Sequence, residues 1–316
     1  MAVSARPIVP SRIARKAFSH GAQRRPRSLA GGFVALTKPR IIELLLVTTV
    51  PTMVLARRGW PSTALVVVTL IGGSLAAGGA NALNMVIDRD IDGLMERTKH
   101  RPLVTGLVSP RQAIVFAWTL EAAAFTVLWI GANLLSAVLT FSATLFYVVV
   151  YSLWLKRTSR QNIVIGGAAG AVPVLVGWSA VTNSVSWSAV VLFLLIFLWT
   201  PPHFWALAIR HADDYRAAKV PMLPTVVSME RTIRSMFLYT VTLVTSSLIL
   251  APVADLGPVY WVVAAVLGTG FLVGVDFLRR RPTPATSMRL FSYSISYITL
   301  VFGAIALDVL VRHGVS

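Results

Sequence analysis

The chain has 316 residues, 56% of them hydrophobic and 13% charged, with a formal net charge of +17. That balance lies outside the range of an ordinary soluble domain and places the protein in a lipid bilayer. With no cysteine, it has no disulfides, no thiolate metal sites and no covalent C-x-x-C-H haem attachment.

Residues 1–32 carry several Arg and Ser, no acidic residue and no uninterrupted apolar core. This predicts a disordered basic cytoplasmic tail on a bacterial protein, with a mitochondrial transit peptide as the alternative. Residues 33–316 form one transmembrane domain. Apolar runs near 33–56, 63–88, 111–130, 134–155, 162–181, 187–209, 235–254, 258–278 and 290–311 are each close to the ~20 residues that cross the hydrocarbon. The expected fold is therefore all-α, a polytopic bundle of nine transmembrane helices. Strands are excluded because the runs lack the dyad alternation of a membrane barrel. Of 29 Lys and Arg, all but Arg57, Arg58 and Arg312 fall on one side, so the N-terminus and the even-numbered loops are cytoplasmic. Charge spread over short loops argues against nucleic acid and is compatible with attraction to anionic lipid.

Only 12 residues are Asp or Glu, so their positions are informative. At the end of the second run Asn84, Asp88 and Asp92 read N-x-x-x-D-x-x-x-D. Residues four apart on a helix are rotated by only about 40°, so the three side chains form one stripe at the membrane surface. A hard divalent cation takes such oxygens while keeping sites for phosphate, which suits Mg²⁺ and a diphosphate. A second acidic cluster, Asp213 and Asp214, follows the sixth run on the same side. His203, Leu207, Arg210 and Asp214 recur at helical spacing, and Asp213 is turned about 80° away. Arg97, Lys99, Arg101, Arg210 and Lys219 join the two acidic patches, and Lys38 and Arg40 open the first run. Pro201 and Pro202 should kink the sixth helix beside His203. Gly166, Gly167, Ala168, Ala169 and Gly170 allow close helix packing or leave an apolar slot. Glu43, expected to pair with Arg40, and Glu121, near the middle of the third run, are intramembrane acids without an assigned catalytic role.

The stretch NALNMVIDRDIDGLMERTKHRPL resembles the first signature of the UbiA superfamily of intramembrane prenyltransferases. LTKPR at 36–40, DRDIDGLMERTKHRPL at 88–103, QNIVIGGAAGA at 161–171, WTPPHFWAL at 199–207 and DDYRAAKVPMLP at 213–224 look more finely like the branch that farnesylates protohaem IX. Where many members carry D-x-x-x-D in the second motif, this chain has Ala217 and Ala218 four positions beyond adjacent Asp213 and Asp214. The resemblance implies that Asn84, Asp88, Asp92, Asp213 and Asp214 hold Mg²⁺, while Asn84, Lys38, Arg97, Arg101 and Lys219 contact the diphosphate. It implies farnesyl diphosphate and haem B as substrates, the latter not covalently attached. His203, Trp199, Phe204 and His211 are the candidate haem contacts, His203 also as the group that takes a proton from water. The product would serve haem–copper oxidase biogenesis, with a haem A synthase or an oxidase assembly factor as partner. An aromatic prenyltransferase acting on a quinone precursor is the enzyme alternative, and a transporter is the alternative of another class.

Overall fold

The computed structural model describes residues 28–314, and of residues 40–46 the backbone but not the side chains. The expected tail therefore lies almost wholly outside the described residues, as do the side chains of Arg40 and Glu43. Residues 29–32, read as tail, instead open α1 (Leu29–Thr37), capped by Ser28.

Every regular element among the described residues is a helix, and none of them is a strand. Eight helices are long and apolar enough to span a membrane. They are α3 (Thr63–Ile87), α5 (Pro110–Gly131), α6 (Leu134–Thr158), α7 (Asn162–Thr182), α8 (Trp187–Arg210), α11 (Met229–Val253), α12 (Pro258–Arg280) and α13 (Pro284–His313). The remaining expected span corresponds to α2 (Pro39–Arg57). Short helices α4 (Arg89–Asp92), α9 (Ala212–Ala217) and α10 (Leu223–Val226) lie in the loops. Capping chemistry sets the starts. Ser109 and Gln112 form a reciprocal capping box at α5 before Pro110, and Ser228 and Thr283 cap α11 and α13. α11 and α13 begin earlier than their apolar runs because polar and charged opening residues, MERTIR in α11 and PATSMR in α13, lower hydropathy without opposing the helix.

Two departures from the expected spans matter for the site. The first run is not continuous: Lys38 takes a left-handed backbone (φ 52°, ψ 62°) between α1 and α2. Pro39, at the first position of α2, disfavours helical backbone in the residue before it, so the helix stops and restarts there. In α6, residues Phe146–Leu155 wind as a π-helix. Ser152 Oγ donates to the carbonyl of Tyr147, five residues back (2.9 Å). Such segments recur at functional sites.

The helices close into a ring, α3–α5–α6–α7–α8–α11–α12–α13–α2–α3 by packing neighbours. Lipid offers no hydrophobic gain for helix association, so close approach supplies it. A Cβ at Gly79 of α3 would lie 2.9 Å from the Ala117 carbonyl of α5. Glu121 is buried in the same contact and accepts from Thr144 Oγ1 (3.1 Å), a hydrogen-bonded structural pairing. The largest core, with Trp199, Trp205, Tyr260, Phe271, Tyr297 and Phe302, lies in the α8–α13 half. At the sparsely charged face, Arg58 and Arg312 both donate to the Asp255 carbonyl (3.3 and 2.5 Å).

Candidate active site

α3 ends at Ile87, and Asp88 caps it before α4 resumes. The amides of Asp88 and Asp92 still bond the carbonyls of Asn84 and Asp88 (2.9 and 2.8 Å), so the four-residue register survives the joint. The stripe is buried: Asn84 is 2% exposed, Asp88 0% and Asp92 1%. Buried carboxylates need partners. Asp88 Oδ2 accepts from Asn84 Nδ2 (2.8 Å) and from Lys156 Nζ. Asp92 Oδ2 accepts from Arg101 Nη1 (2.5 Å). The Oδ1 atoms of both carboxylates are buried and unpartnered.

Those two free oxygens are the donor type Mg²⁺ takes, and the residues fit it on that ground. Among the described residues no three His, Asp or Glu side chains converge on one point. Asn84, expected as a metal ligand, does different work. Its Oδ1 accepts from Lys38 Nζ (3.1 Å), and its amide hydrogens go to Asp88 and Ser152 Oγ (3.0 Å). It therefore orients Asp88.

The left-handed break at Lys38 turns its ammonium inward, where it is 9% exposed beside Asn84. Arg101 arrives on a loop folded back by buried Met95, Leu103 and Val108, with Arg89 Nε donating to the Leu103 carbonyl (3.0 Å). Lys156 was read in the sequence only as a topology charge, and it proves central. The π segment aligns Tyr147, Ser152 and Lys156 toward α3, with Tyr147 and Tyr151 stacked at 5.3 Å. The one available signal was a Lys four residues after a Ser at the cytoplasmic end of an apolar run. Next to it, Arg157 grips Asp90 through two bonds (2.7 and 2.6 Å) and donates to the Ile87 carbonyl (2.8 Å). Its hydrogen bond holds the Asp90 carboxyl down at about 2. This clamp fixes the end of α6 against the end of α3.

The second acidic cluster meets the first directly: the Glu96 amide donates to Asp214 Oδ1 (3.1 Å). Arg97 lies over the Tyr215 ring at 5.9 Å. Asp213 is not brought to the site. Its carboxylate is fully exposed and pairs with Arg216 (2.8 Å), because adjacent residues on α9 face different ways. Lys219 is also exposed, at a left-handed position (φ 53°) that ends the segment. His211 Nδ1 lies 3.8 Å from Asp214 Oδ2; burial and then Arg97 pull its pKa down, while Asp214 pushes it up.

The expected His203–Asp214 face does not exist as one helix, since α8 ends at Arg210 and the chain turns at His211. His203 sits instead in the α8–α13 half, stacked between Trp199 (4.2 Å) and Phe291 (4.4 Å) with Phe204 at its edge (5.2 Å). Trp199 Nε1 donates to the Ser294 carbonyl (2.8 Å). Ser294 Oγ spends its hydrogen on the Phe291 carbonyl (2.6 Å), so it accepts from His203 Nδ1–H (2.6 Å). That tautomer leaves Nε2 as an acceptor. In α7, a Cβ at Gly166 would lie 2.3 Å from Tyr151 Cδ2 and one at Gly167 2.8 Å from Thr200 Cγ2, whereas Gly170 faces open space.

The UbiA prenyltransferase family model matches residues 45–301. A protohaem IX farnesyltransferase from Pseudarthrobacter chlorophenolicus is 53% identical over 284 residues, covering 88% of this chain and 89% of that protein. One from Frankia casuarinae is 52% identical over 288 residues, covering 89% and 99%. Among solved structures, a digeranylgeranylglyceryl phosphate synthase superposes with a TM-score of 0.73 at 15% identity, covering 89% of this chain and 99% of that one. A UbiA homologue from Archaeoglobus fulgidus, bound to GPP and Mg²⁺, superposes with a TM-score of 0.63 at 18% identity, covering 87% and 99%. At such identities these two structures establish a shared fold.

Proposed function

The chain belongs to the UbiA prenyltransferase family, and we propose that within it the protein farnesylates protohaem IX. The observation that carries this reading is the likeness, along most of the chain, to farnesyltransferases of protohaem IX. The C–O bond of farnesyl diphosphate breaks with its electron pair leaving on diphosphate. The vinyl π pair of haem B then forms the new C–C bond. Water captures the resulting cation and loses a proton, giving the hydroxyethylfarnesyl group of haem O.

Each step makes a demand that these residues meet. Asp88 Oδ1 and Asp92 Oδ1 are where Mg²⁺ would be held, supplying charge neutralisation to the leaving group. Lys156 and Arg101 hold the carboxylates in place, Lys38 holds Asn84, and all three present N–H groups to the same anion. Asp214 adds a carboxylate from the facing loop, and exposed Arg97 and Lys219 draw the diphosphate to the mouth. The mouth faces the cytoplasm of a bacterial cell, as the charge asymmetry supports.

His203 belongs to the acceptor side, with Nε2 positioned by the Ser294 bond to take the proton from the quenching water or to meet haem iron. His203→Ala is expected to leave farnesyl diphosphate binding intact and to lower haem O formation by about 10²-fold. Unchanged product would leave His203 a packing residue. The direct test incubates membranes with haem B, farnesyl diphosphate and Mg²⁺ and looks by mass for haem O. A prenylated phenol, formed when a quinone precursor is supplied and haem O is not, would move the assignment to that branch.

A further inference from the structure

Asn162 opens α7, a helix of 21 residues whose N-terminus has no side-chain cap. It is 1% exposed, and neither Oδ1 nor Nδ2 has a partner. Buried amides are almost always paired, and the first N–H groups of a helix need acceptors of their own. The surroundings identify what is missing. Gly166, one turn along the same face, packs on the Tyr151 ring, and that ring lies 5.9 Å from Lys156 Nζ, which holds Asp88. The adjacent Ile163 packs in one cluster with Ile91 and Met95 of the first acidic segment and Tyr215 of the second. The orphaned amide therefore stands at the positive end of a helix whose next residue, Ile163, packs against both acidic segments and whose Gly166 adjoins the ring beside Lys156.

We propose that Asn162, in the first turn of α7, binds the diphosphate of the prenyl donor through its side-chain amide. Nδ2 donates to a phosphate oxygen, and Oδ1 accepts from a water held by the same anion. Helix N-termini are ready-made anion sites, and the nearby ammonium makes a cation there unfavourable. This rests on the donor being a prenyl diphosphate and adds a residue of α7 to those that would hold it.

Calorimetric titration of the detergent-purified protein with farnesyl thiodiphosphate and Mg²⁺, alongside thermal melting without ligand, tests it. Asn162→Leu is expected to melt at or above the wild-type temperature, because an unpaired polar group has been removed, and to bind about tenfold more weakly. Asn162→Asp, which sets a carboxylate against the anion, is expected to bind more weakly still. Wild-type affinity in either variant, or an Asn162→Leu protein that melts well below wild type with unchanged binding, overturns the proposal and leaves the donor reading standing. Failure of the wild-type protein itself to bind the thiodiphosphate overturns both.

Discussion

Asp88→Asn and Asp92→Asn membranes are expected to form haem O at least about 10³-fold more slowly than wild type at equal protein level. Each substitution keeps the shape of the side chain and removes the charge that holds a divalent cation. The Asn variants are the better test because the acids are not loop ornaments. Asp88 is 0% and Asp92 1% exposed, and each is bonded to a cationic side chain that is itself largely buried. Asn still offers that cation an acceptor oxygen, whereas truncation to alanine leaves it with neither charge nor acceptor, at a cost of about 3–5 kcal/mol, and so would confuse lost chemistry with lost fold. The double change Asp88→Ala with Lys156→Met removes both charges and should insert and accumulate better than Asp88→Ala alone. Product quantified by mass against immunoblotted protein decides the matter. Activity within tenfold of wild type in both Asn variants would sink the assignment of these carboxylates.

Lys156→Met should be the second large effect, lowering kcat/KM for farnesyl diphosphate by about 10²-fold, with Lys156→Arg recovering part of it. Lys156 is shared between two tasks. It neutralises Asp88, and under the proposed function the same ammonium also meets the diphosphate. A residue needed only to balance Asp88 would show a stability loss with little change in KM. One that also contacts the leaving group raises KM and lowers kcat together. Steady-state kinetics on the Met and Arg variants, with melting temperatures measured in parallel, separates these cases. A Met variant with unchanged kcat/KM would confine Lys156 to structure.

Much of this protein was legible in its residues because the properties involved are local. Apolar runs long enough to cross hydrocarbon located the spans, since backbone in lipid must satisfy its own hydrogen bonds and does so as helix. The spacing of Asn84, Asp88 and Asp92 placed them on one face, and the structure keeps that face because the amide bonds bridge the joint between α3 and α4. Arg101 was readable as a basic neighbour of that stripe, and Lys38 as a cation at the start of a span.

What remained hidden depends on which segment meets which. No local pattern distinguishes Lys156, one cation among 29 Lys and Arg, until a π-helical winding and a partner 68 residues away turn it onto Asp88. Continuing one helix from His203 to Asp214 was a sound use of periodicity, but the turn at His211 put the imidazole beside Ser294 and the carboxylate beside Glu96. Spacing separated Asp214 from Asp213, but that Asp214 meets the first acidic loop came only from the packing of α9. The chain's own chemistry thus determined a helical membrane protein with an acidic, cation-flanked rim. Tertiary structure alone decided which cations close that rim and which oxygens stay free, because a buried charge takes its meaning from partners that the fold brings in from distant sequence.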